Sequence, residues 1–294
     1  MNIQDFPHLM LDAHAGMLTD PTQFDIEPTP SIHSLNSEAC RLDHFVSARY
    51  RYWCDQLKEV RPRLHRKQWE WVYICAALHE RGMLRPGMRG LGFGVGLEPL
   101  AELFASMGVQ VVATDQAPET AVAGGWVDTN QHTTDLSKLN MRNICPPDQF
   151  AQRVRFQHAD MNNIAPDLVD FDFCWSSCCY EHLGSIEHGL RFVHNSMRTL
   201  RPGGISIHTT ELNLSSDIVT FETPHLSLFR KSDFKRLAAE LRAAGHDVAP
   251  MSFYPGSHPL DAYVDLPPFK SDPHLRLEVG GYASTSWGII VRKG

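Results

Sequence analysis

Between Arg89 and Leu100 the chain reads Arg-Gly-Leu-Gly-Phe-Gly-Val-Gly-Leu-Glu-Pro-Leu, with glycine at every second position from Gly90 to Gly96. Glycine tolerates positive φ and lets a ligand approach the backbone with no Cβ in the way. The run follows an apolar stretch with strand character and leads into a helical pattern. Pro99 suits the first turn of that helix, where an N–H needs no intrahelical acceptor. A helix start also offers free N–H groups and a partial positive charge to a carboxylate or phosphate. The next apolar stretch, Val109 to Thr114, ends at Asp115 and Gln116, and an acid about 20 residues after such a turn can accept hydrogen bonds from both ribose hydroxyls of a nucleoside. Gly92, Gly94, Gly96, Asp115 and Gln116 are therefore the expected cofactor-binding residues.

The glycine spacing narrows the cofactor. The dinucleotide fingerprint G-x-G-x-x-G needs its third glycine for close helix–strand packing around a pyrophosphate. Reading from Gly92 puts Leu97 at that place, and reading from Gly90 puts Val95 there. The spacing present, G-x-G-x-G, suits a ligand without a pyrophosphate. No Tyr-x-x-x-Lys pair of a short-chain dehydrogenase occurs either, so a nicotinamide-dependent oxidoreductase is the disfavoured reading.

Four further segments follow in order: His158-Ala159-Asp160-Met161, Phe171-Asp172-Phe173-Cys174-Trp175-Ser176, Tyr180-Glu181-His182-Leu183 and Leu200-Arg201-Pro202-Gly203-Gly204. With the glycine turn they resemble the class I S-adenosylmethionine-dependent methyltransferases, over about residues 85–294. The resemblance implies S-adenosyl-L-methionine as cofactor, with Asp160 near the adenine amino group, Met161 beside the ring and Ser176 near the methionine portion. It implies a Rossmann-like fold, a doubly wound sheet of seven mostly parallel strands with the last inserted antiparallel. His65 to Glu70, the glycine turn and Trp175 to Gly184 are similar to a bacterial subgroup associated with carbohydrate and natural-product tailoring. The family carries an acid two residues before the first glycine of the turn, where this chain has Gly90. Glu98 or a residue of the amino-terminal helices is expected to take over its work, and a binding protein that has lost transfer is the alternative that Gly90 alone suggests.

Methyl transfer requires an aligned acceptor and, for a hydroxyl or ammonium, a group to remove its proton. Acceptors sit outside the carboxyl ends of the strands in open sheets of this kind. Two residues there can act as base: His182, whose ordinary pKa near 6.5 suits neutral pH, and Glu211, at the end of the strand beginning near Gly204. Each has a structural alternative, as a packed helix-start residue and a salt-bridged carboxylate. The favoured acceptor is an oxygen, less so a nitrogen, of a small polar molecule such as a sugar or metabolite. No Asp/Asn-Pro-Pro-Tyr/Phe motif follows the fourth strand, where Ser176-Ser177-Cys178-Cys179 stands, so no nucleic-acid substrate is expected. Asp172, Glu181 and Glu211 could converge on a metal, although no metal site is expected. Cys174, Cys178 and Cys179 read as small buried hydrophobes.

These residues need elements to position them. Alternation of short apolar runs with helical stretches predicts β-α-β crossovers, with strands at 88–93, 109–114, 153–158, 170–176 and 204–210. Helices are expected near 97–107, 131–143 and 184–199. A helix over 231–245 follows, starting at Ser232 or Asp233 and stopped by Gly245, then strands at 247–253 and 285–292. Residues 1–84 read as an arm and a helical cover, with helices from Ser37 to about Val60 and from Arg66 to Gly82. Tyr50, Tyr52, Trp53 and Trp69 are candidate walls of the acceptor pocket, which the segment 211–230 would roof. Residues 254–283 read as an insertion before the last strand.

With 27 Lys and Arg against 34 Asp and Glu the formal charge is −7, which argues against non-specific nucleic-acid binding. Hydrophobic residues make up 43% and charged ones 21%, a globular composition. No apolar run approaches the ~20 residues of a membrane span, and the amino terminus lacks a signal-peptide pattern. A cytoplasmic enzyme is expected, without membrane partners and with a homodimer allowed but not required.

Overall fold

The structure is a computed structural model that describes residues 35–60, 62–117, 136–270 and 272–294, together with the two-residue strand Met17–Leu18. The first five residues of the expected helix at 131–143 lie outside these residues, and the remainder holds a short 3-10 turn, Leu136–Asn140, rather than a helix. The main sheet has ten strands where seven were expected. In chain order they are β1 (Ser37–Ala39), β2 (Arg89–Gly92), β3 (Gln110–Asp115), β4 (Val154–His158), β5 (Phe171–Ser177), β6 (Leu200–Asn213), β7 (Asp247–Val248), β8 (Met251–Ser252), β9 (Arg276–Val279) and β10 (Tyr282–Arg292).

The order across the sheet is β4-β3-β2-β5-β6-β10-β1-β8. Strands β4, β3, β2, β5 and β6 are mutually parallel, and β10 lies antiparallel to β6. Parallel strands need long crossovers, which the helices supply. The three additional strands finish the far edge. One side of β10 pairs with β6 along its length, and the other side is covered in turn by β9, β1 and β7. An edge of that length left open would be a template for pairing with other chains. The expected strand at 247–253 is thus two short strands interrupted at Ala249-Pro250, and proline has no N–H to give a ladder. Ser37–Ala39, expected at the start of a helix, is instead a buried strand.

Six helices of seven or more residues are described: α1 (Ala48–Gln56), α2 (Arg66–Glu80), α3 (Leu100–Ser106), α4 (Pro147–Arg153), α5 (Ile186–Ser196) and α6 (Lys231–Ala243). Helix α2 starts where the His65 side chain accepts a hydrogen bond from the Lys67 N–H, and ends before Gly82, whose φ of 70° suits a left-handed stop. Gln68–Glu70 and Val72–Leu78 are all buried, so this helix is a layer of the core rather than a lid. It crosses β10 where Gly288 leaves room for the Tyr73 ring, which a Cβ there would meet at 2.1 Å. Helix α5 is capped by Ser185 and buries Ile186, Leu190, Phe192 and Val193 on one side. Asp233 closes the start of α6 by accepting from the Arg230 N–H, and Gly245 follows its end with φ of 89°. Tyr50, Trp53 and Trp69 belong to the core, and Tyr52 is exposed, so the aromatics expected in the pocket wall are chiefly structural.

Candidate functional site

The glycine turn, Asp115, His182 and Glu211 lie at the carboxyl ends of parallel strands. The glycine turn leaves β2 and is pinned from both neighbouring strands. Phe93 N–H donates to the Trp175 carbonyl at 2.9 Å, Val95 N–H to the Thr114 carbonyl at 3.0 Å, and Thr114 Oγ1 to the Gly92 carbonyl at 2.8 Å. Asp115, at the end of β3, accepts from the Gly96 N–H at 3.0 Å and from the Gln116 N–H at 2.8 Å. Gly94 and Gly96 have φ of 57° and 51°, the left-handed region that favours glycine. A Cβ at Gly94 would meet Cys179 Sγ at 2.9 Å and Met161 Sδ at 3.6 Å, so Cys179 packs against the bare backbone there and leaves no room for a side chain.

Gly90 has a packing reason. It pairs with Phe173 across β2 and β5, and a Cβ would meet that ring at 2.4 Å. Gly92 stands likewise under Trp175, also at 2.4 Å. Phe104 of α3 packs edge-on against both rings, at 5.6 and 5.0 Å. An acid at position 90 has no space. The acids near the turn come from elsewhere: Glu98 from the turn itself and Glu70 from α2.

Around these two lies a buried network of charges. Lys67 Nζ is 2.7 Å from Glu70 Oε2 and 3.7 Å from Glu98 Oε1. Arg66 reaches Glu70 Oε1 at 3.3 Å and Glu211 Oε1 at 2.5 Å. Ser286 Oγ and Ser177 Oγ donate to Glu70 at 2.6 and 2.9 Å, and Ser284 Oγ donates to Glu211 at 2.9 Å. Thr210 Oγ1 donates to Glu181 Oε2 at 2.9 Å. Charges out of water are tolerated only when paired and hydrogen-bonded, and the network meets that condition unevenly. Burial would raise the Glu70 carboxyl, but Lys67 and Arg66 outweigh it and hold it near 2. Burial lifts Glu98 to about 7 against the pull of Lys67. Burial and then the Glu211 carboxylate lift Glu181 to about 8.

The two expected bases differ in circumstance. His182 sits in a 3-10 turn, Tyr180–His182, just past β5. Its Nδ1 is 2.6 Å from the His225 carbonyl, which can only accept, so Nδ1 carries the hydrogen. Nε2 then faces Glu181 Oε1 at 4.0 Å, and burial lowers the ring's pKa. Glu211 is tied to Arg66, the salt-bridged arrangement that competes with a base role. The segment following β6 folds back over this corner, the Ser227 N–H donating to the Glu181 carbonyl at 2.9 Å.

Two expected contacts lie apart. Ser176 turns to the opposite face of β5 from Ser177 and bonds His208 Nδ1 at 2.8 Å, in a fully buried knot with Ser196 and Ser206. The residue facing the network is its neighbour Ser177. Asp172, grouped with Glu181 and Glu211 from sequence, sits at the other end of β5, where it accepts from the Arg89 N–H and pairs with Arg201. In its place Cys178 Sγ joins the two glutamates, all three offering ligand-type atoms within 4.8 Å of one another. Met161 is buried beside the turn, and Asp160 is exposed, accepting from the Asn162 N–H. Arg66, Lys67 and Glu70 were not expected in the site. Their signal was legible: three charges at a three- and four-residue spacing, at the start of a helix whose middle, Trp71–Leu78, is wholly apolar.

The profile of the methyltransferase domain family matches residues 90–208, from the first glycine of β2 to His208 in β6. No curated protein matches the chain. Among solved structures, the chain is similar to a candidate sarcosine dimethylglycine methyltransferase from Galdieria sulphuraria, with 16% identity, a TM-score of 0.48, and 78% of this chain and 84% of that chain covered. It is also similar to an S-adenosylmethionine dependent methyltransferase from Mesorhizobium loti, with 12% identity, a TM-score of 0.45, and 74% and 96% covered. A third is a SAM dependent methyltransferase from Aquifex aeolicus, with 18% identity, a TM-score of 0.40, and 74% and 87% covered. The chain thus carries, over residues 90–208, a match to the methyltransferase domain family.

Proposed function

We propose that this enzyme methylates a heteroatom of a small polar acceptor held at the carboxyl ends of β5 and β6. The observation that carries this reading is the charged network of Arg66, Lys67, Glu70, Glu98, Glu181 and Glu211, which runs from the glycine turn to those two strand ends. Gly92, Gly94 and Gly96 would cradle the cofactor, Asp115 and Gln116 its ribose, and Asp160 and Met161 its adenine. Glu98 would receive its ammonium in place of the acid that Gly90 lacks. When bound, S-adenosyl-L-methionine supplies an activated methyl group on a sulfonium.

The chain's own work is then to exclude water, orient the acceptor and hold its departing proton. His182, with a neutral ring and Nε2 free of hydrogen, and the carboxyl groups beside it are suited to the last task. Titration calorimetry with S-adenosylhomocysteine, run beside NAD⁺ and NADP⁺, tests the cofactor assignment. Micromolar binding of the first alone is expected, weakened at least tenfold by Asp115→Ala. Binding of a nicotinamide cofactor alone would sink this reading.

A further inference from the structure

Resting on the function proposed above, we infer that the acceptor is an amine, and that Glu181 is the catalytic residue that binds its N–H and takes the proton released on methyl transfer.

The network holds four carboxyl groups and two cations. Arg66 and Lys67 are committed to Glu70 and Glu211 through the contacts of 2.5–3.3 Å to those two acids. Two buried carboxyl oxygens keep no hydrogen-bond partner, Glu98 Oε2 and Glu181 Oε1. Buried polar atoms in folded proteins are nearly always satisfied, so each orphan points to a missing donor. The Glu98 orphan adjoins the glycine turn and falls to the cofactor. The Glu181 orphan does not.

Glu181 is 1% exposed and firmly placed, with Thr210 Oγ1 on Oε2 and the Ser227 N–H on its carbonyl. Two further hydroxyls, Tyr180 Oη of the preceding residue and Ser227 Oγ of the residue whose N–H meets the Glu181 carbonyl, are also buried without partners. This corner therefore presents one unmatched acceptor of potential negative charge and two hydroxyls able to donate or accept. An alcohol could use a single acceptor but would leave the charge of an ionised Glu181 uncompensated. An ammonium supplies both N–H donors and the missing charge.

A divalent metal is the competing occupant, since Cys178, Glu181 and Glu211 lie close together. Arg66 already pairs with Glu211 and stands 3.7 Å from Cys178 Sγ, and burial holds that thiol in its protonated form. One uncommitted carboxylate remains, which matches a single positive charge.

In the transfer step the neutral amine, formed once the bound ammonium has given one proton to solvent, uses its lone pair to form the N–C bond as the S–C bond breaks. The sulfur keeps that electron pair, and the N–H proton passes to Glu181 Oε1. A carboxyl lifted to about 8 by burial and by Glu211 is a far stronger base than an ordinary one. The other groups facing it are Lys67 and Glu70 from α2, Arg66 beside them, Cys178 and His182 from its own turn, and Glu211 from β6.

The test pairs amines with matched alcohols: 2-amino-2-deoxyglucose with glucose, ethanolamine with ethylene glycol, and benzylamine with benzyl alcohol. Release of S-adenosylhomocysteine is followed for the full chain. At least one amine is expected to turn over about a hundredfold faster than its alcohol. Glu181→Gln should lower that kcat about a hundredfold, leave S-adenosylhomocysteine affinity within about threefold, and abolish an acid limb near pH 8. Should Glu181→Gln not fold, Glu181→Asp should keep a displaced limb with a reduced rate, which a merely structural role would not produce. Turnover of alcohols alone or of neither series, loss of activity on metal chelation, or an undiminished rate in Glu181→Gln overturns the inference while leaving the cofactor reading intact. Failure of the wild-type chain to bind S-adenosylhomocysteine overturns both.

Discussion

In the proposed function, Gly90 and Glu98 divide the steric and the electrostatic work at the glycine turn. With the Phe173 ring where a Cβ would lie, Gly90 is a packing residue. Gly90→Ala should therefore destabilise the protein by about 1–3 kcal/mol through overpacking, read as a lower urea midpoint, and Phe173→Leu in the same chain should restore much of it. Equal stability of Gly90→Ala and wild type would refute the steric account. Glu98 carries the electrostatic half. Its carboxyl is raised to about 7 by burial, with Lys67 pulling the other way and Glu70 adding to the rise. It is thus largely protonated at pH 6 and ionised at pH 8, so affinity for the ammonium-bearing S-adenosylhomocysteine should rise across that interval. In Glu98→Gln, calorimetry should find binding about tenfold weaker at pH 8 and nearly flat with pH.

At the scale of elements, α2 joins the amino-terminal segment to the catalytic end of the sheet. Its middle is held by the Tyr73 ring over Gly288 and by the hydrogen bond from Tyr73 Oη to the Asn36 carbonyl at 2.6 Å. Its first turn then delivers Arg66, Lys67 and Glu70 to strands β5, β6 and β10 through Ser177, Glu211 and Ser286. Removing one partner of a buried pair leaves an uncompensated charge, at a cost of about 3–5 kcal/mol. Glu70→Gln takes from Lys67 its near carboxylate in this way, while Arg66 keeps Glu211, and should lower the denaturant midpoint accordingly. Lys67→Met in the Glu70→Gln background should recover stability, since it removes the stranded charge. A double variant no more stable than Glu70→Gln would show that the pair does not act through charge. Strand β10 is the second decisive element, because β6 pairs along one of its sides and β9, β1 and β7 share the other. The segment read from sequence as an excursion before the last strand thereby contributes β9 to the sheet.

For the whole molecule, the buried acids pull stability in opposite directions with pH. Glu38, with its burial outweighed by His44 and Arg41, and Glu70, with its burial outweighed by Lys67 and Arg66, both lie near 2 in the folded chain. Their contribution is present above the ordinary carboxyl value of 4.5 and is lost as pH falls from there towards 2. Glu98 and Glu181 lie near 7 and 8, so the folded state binds their protons more tightly than the unfolded one. Their contribution is present in mild acid and is lost as pH rises from 4.5 through 8. The ligand-free chain should accordingly be most stable in mildly acidic solution, with its thermal midpoint falling on both sides. Glu181→Gln should flatten the decline between pH 5 and 8 while leaving the acid side unchanged. A midpoint that rises steadily from pH 5 to 8 would contradict this balance. Among the described residues no helix is long and apolar enough to cross a membrane.

Much of this architecture is written locally. The glycine turn, Asp115 after the following strand, the five parallel strands and the stops at Gly82 and Gly245 follow from period, φ requirements and chain order, which act within a few residues. The likeness to a methyltransferase domain followed from the order of those segments. What the chain could not show is which distant residues share a space. Ser176 and Ser177 are equal candidates in sequence, and only the pleat of β5 sends one to His208 and the other to Glu70. Glu211 and His182 read as equivalent bases until α2 places Arg66 against the first. Glu181 looked like one acid among several, and tertiary packing alone left it buried, rigid and without a partner on one oxygen. Local propensity and hydrophobic pattern depend on near neighbours in the chain, whereas charge balance in a buried site depends on side chains brought together from positions 66 to 286. That balance is decided only when the sheet closes around them.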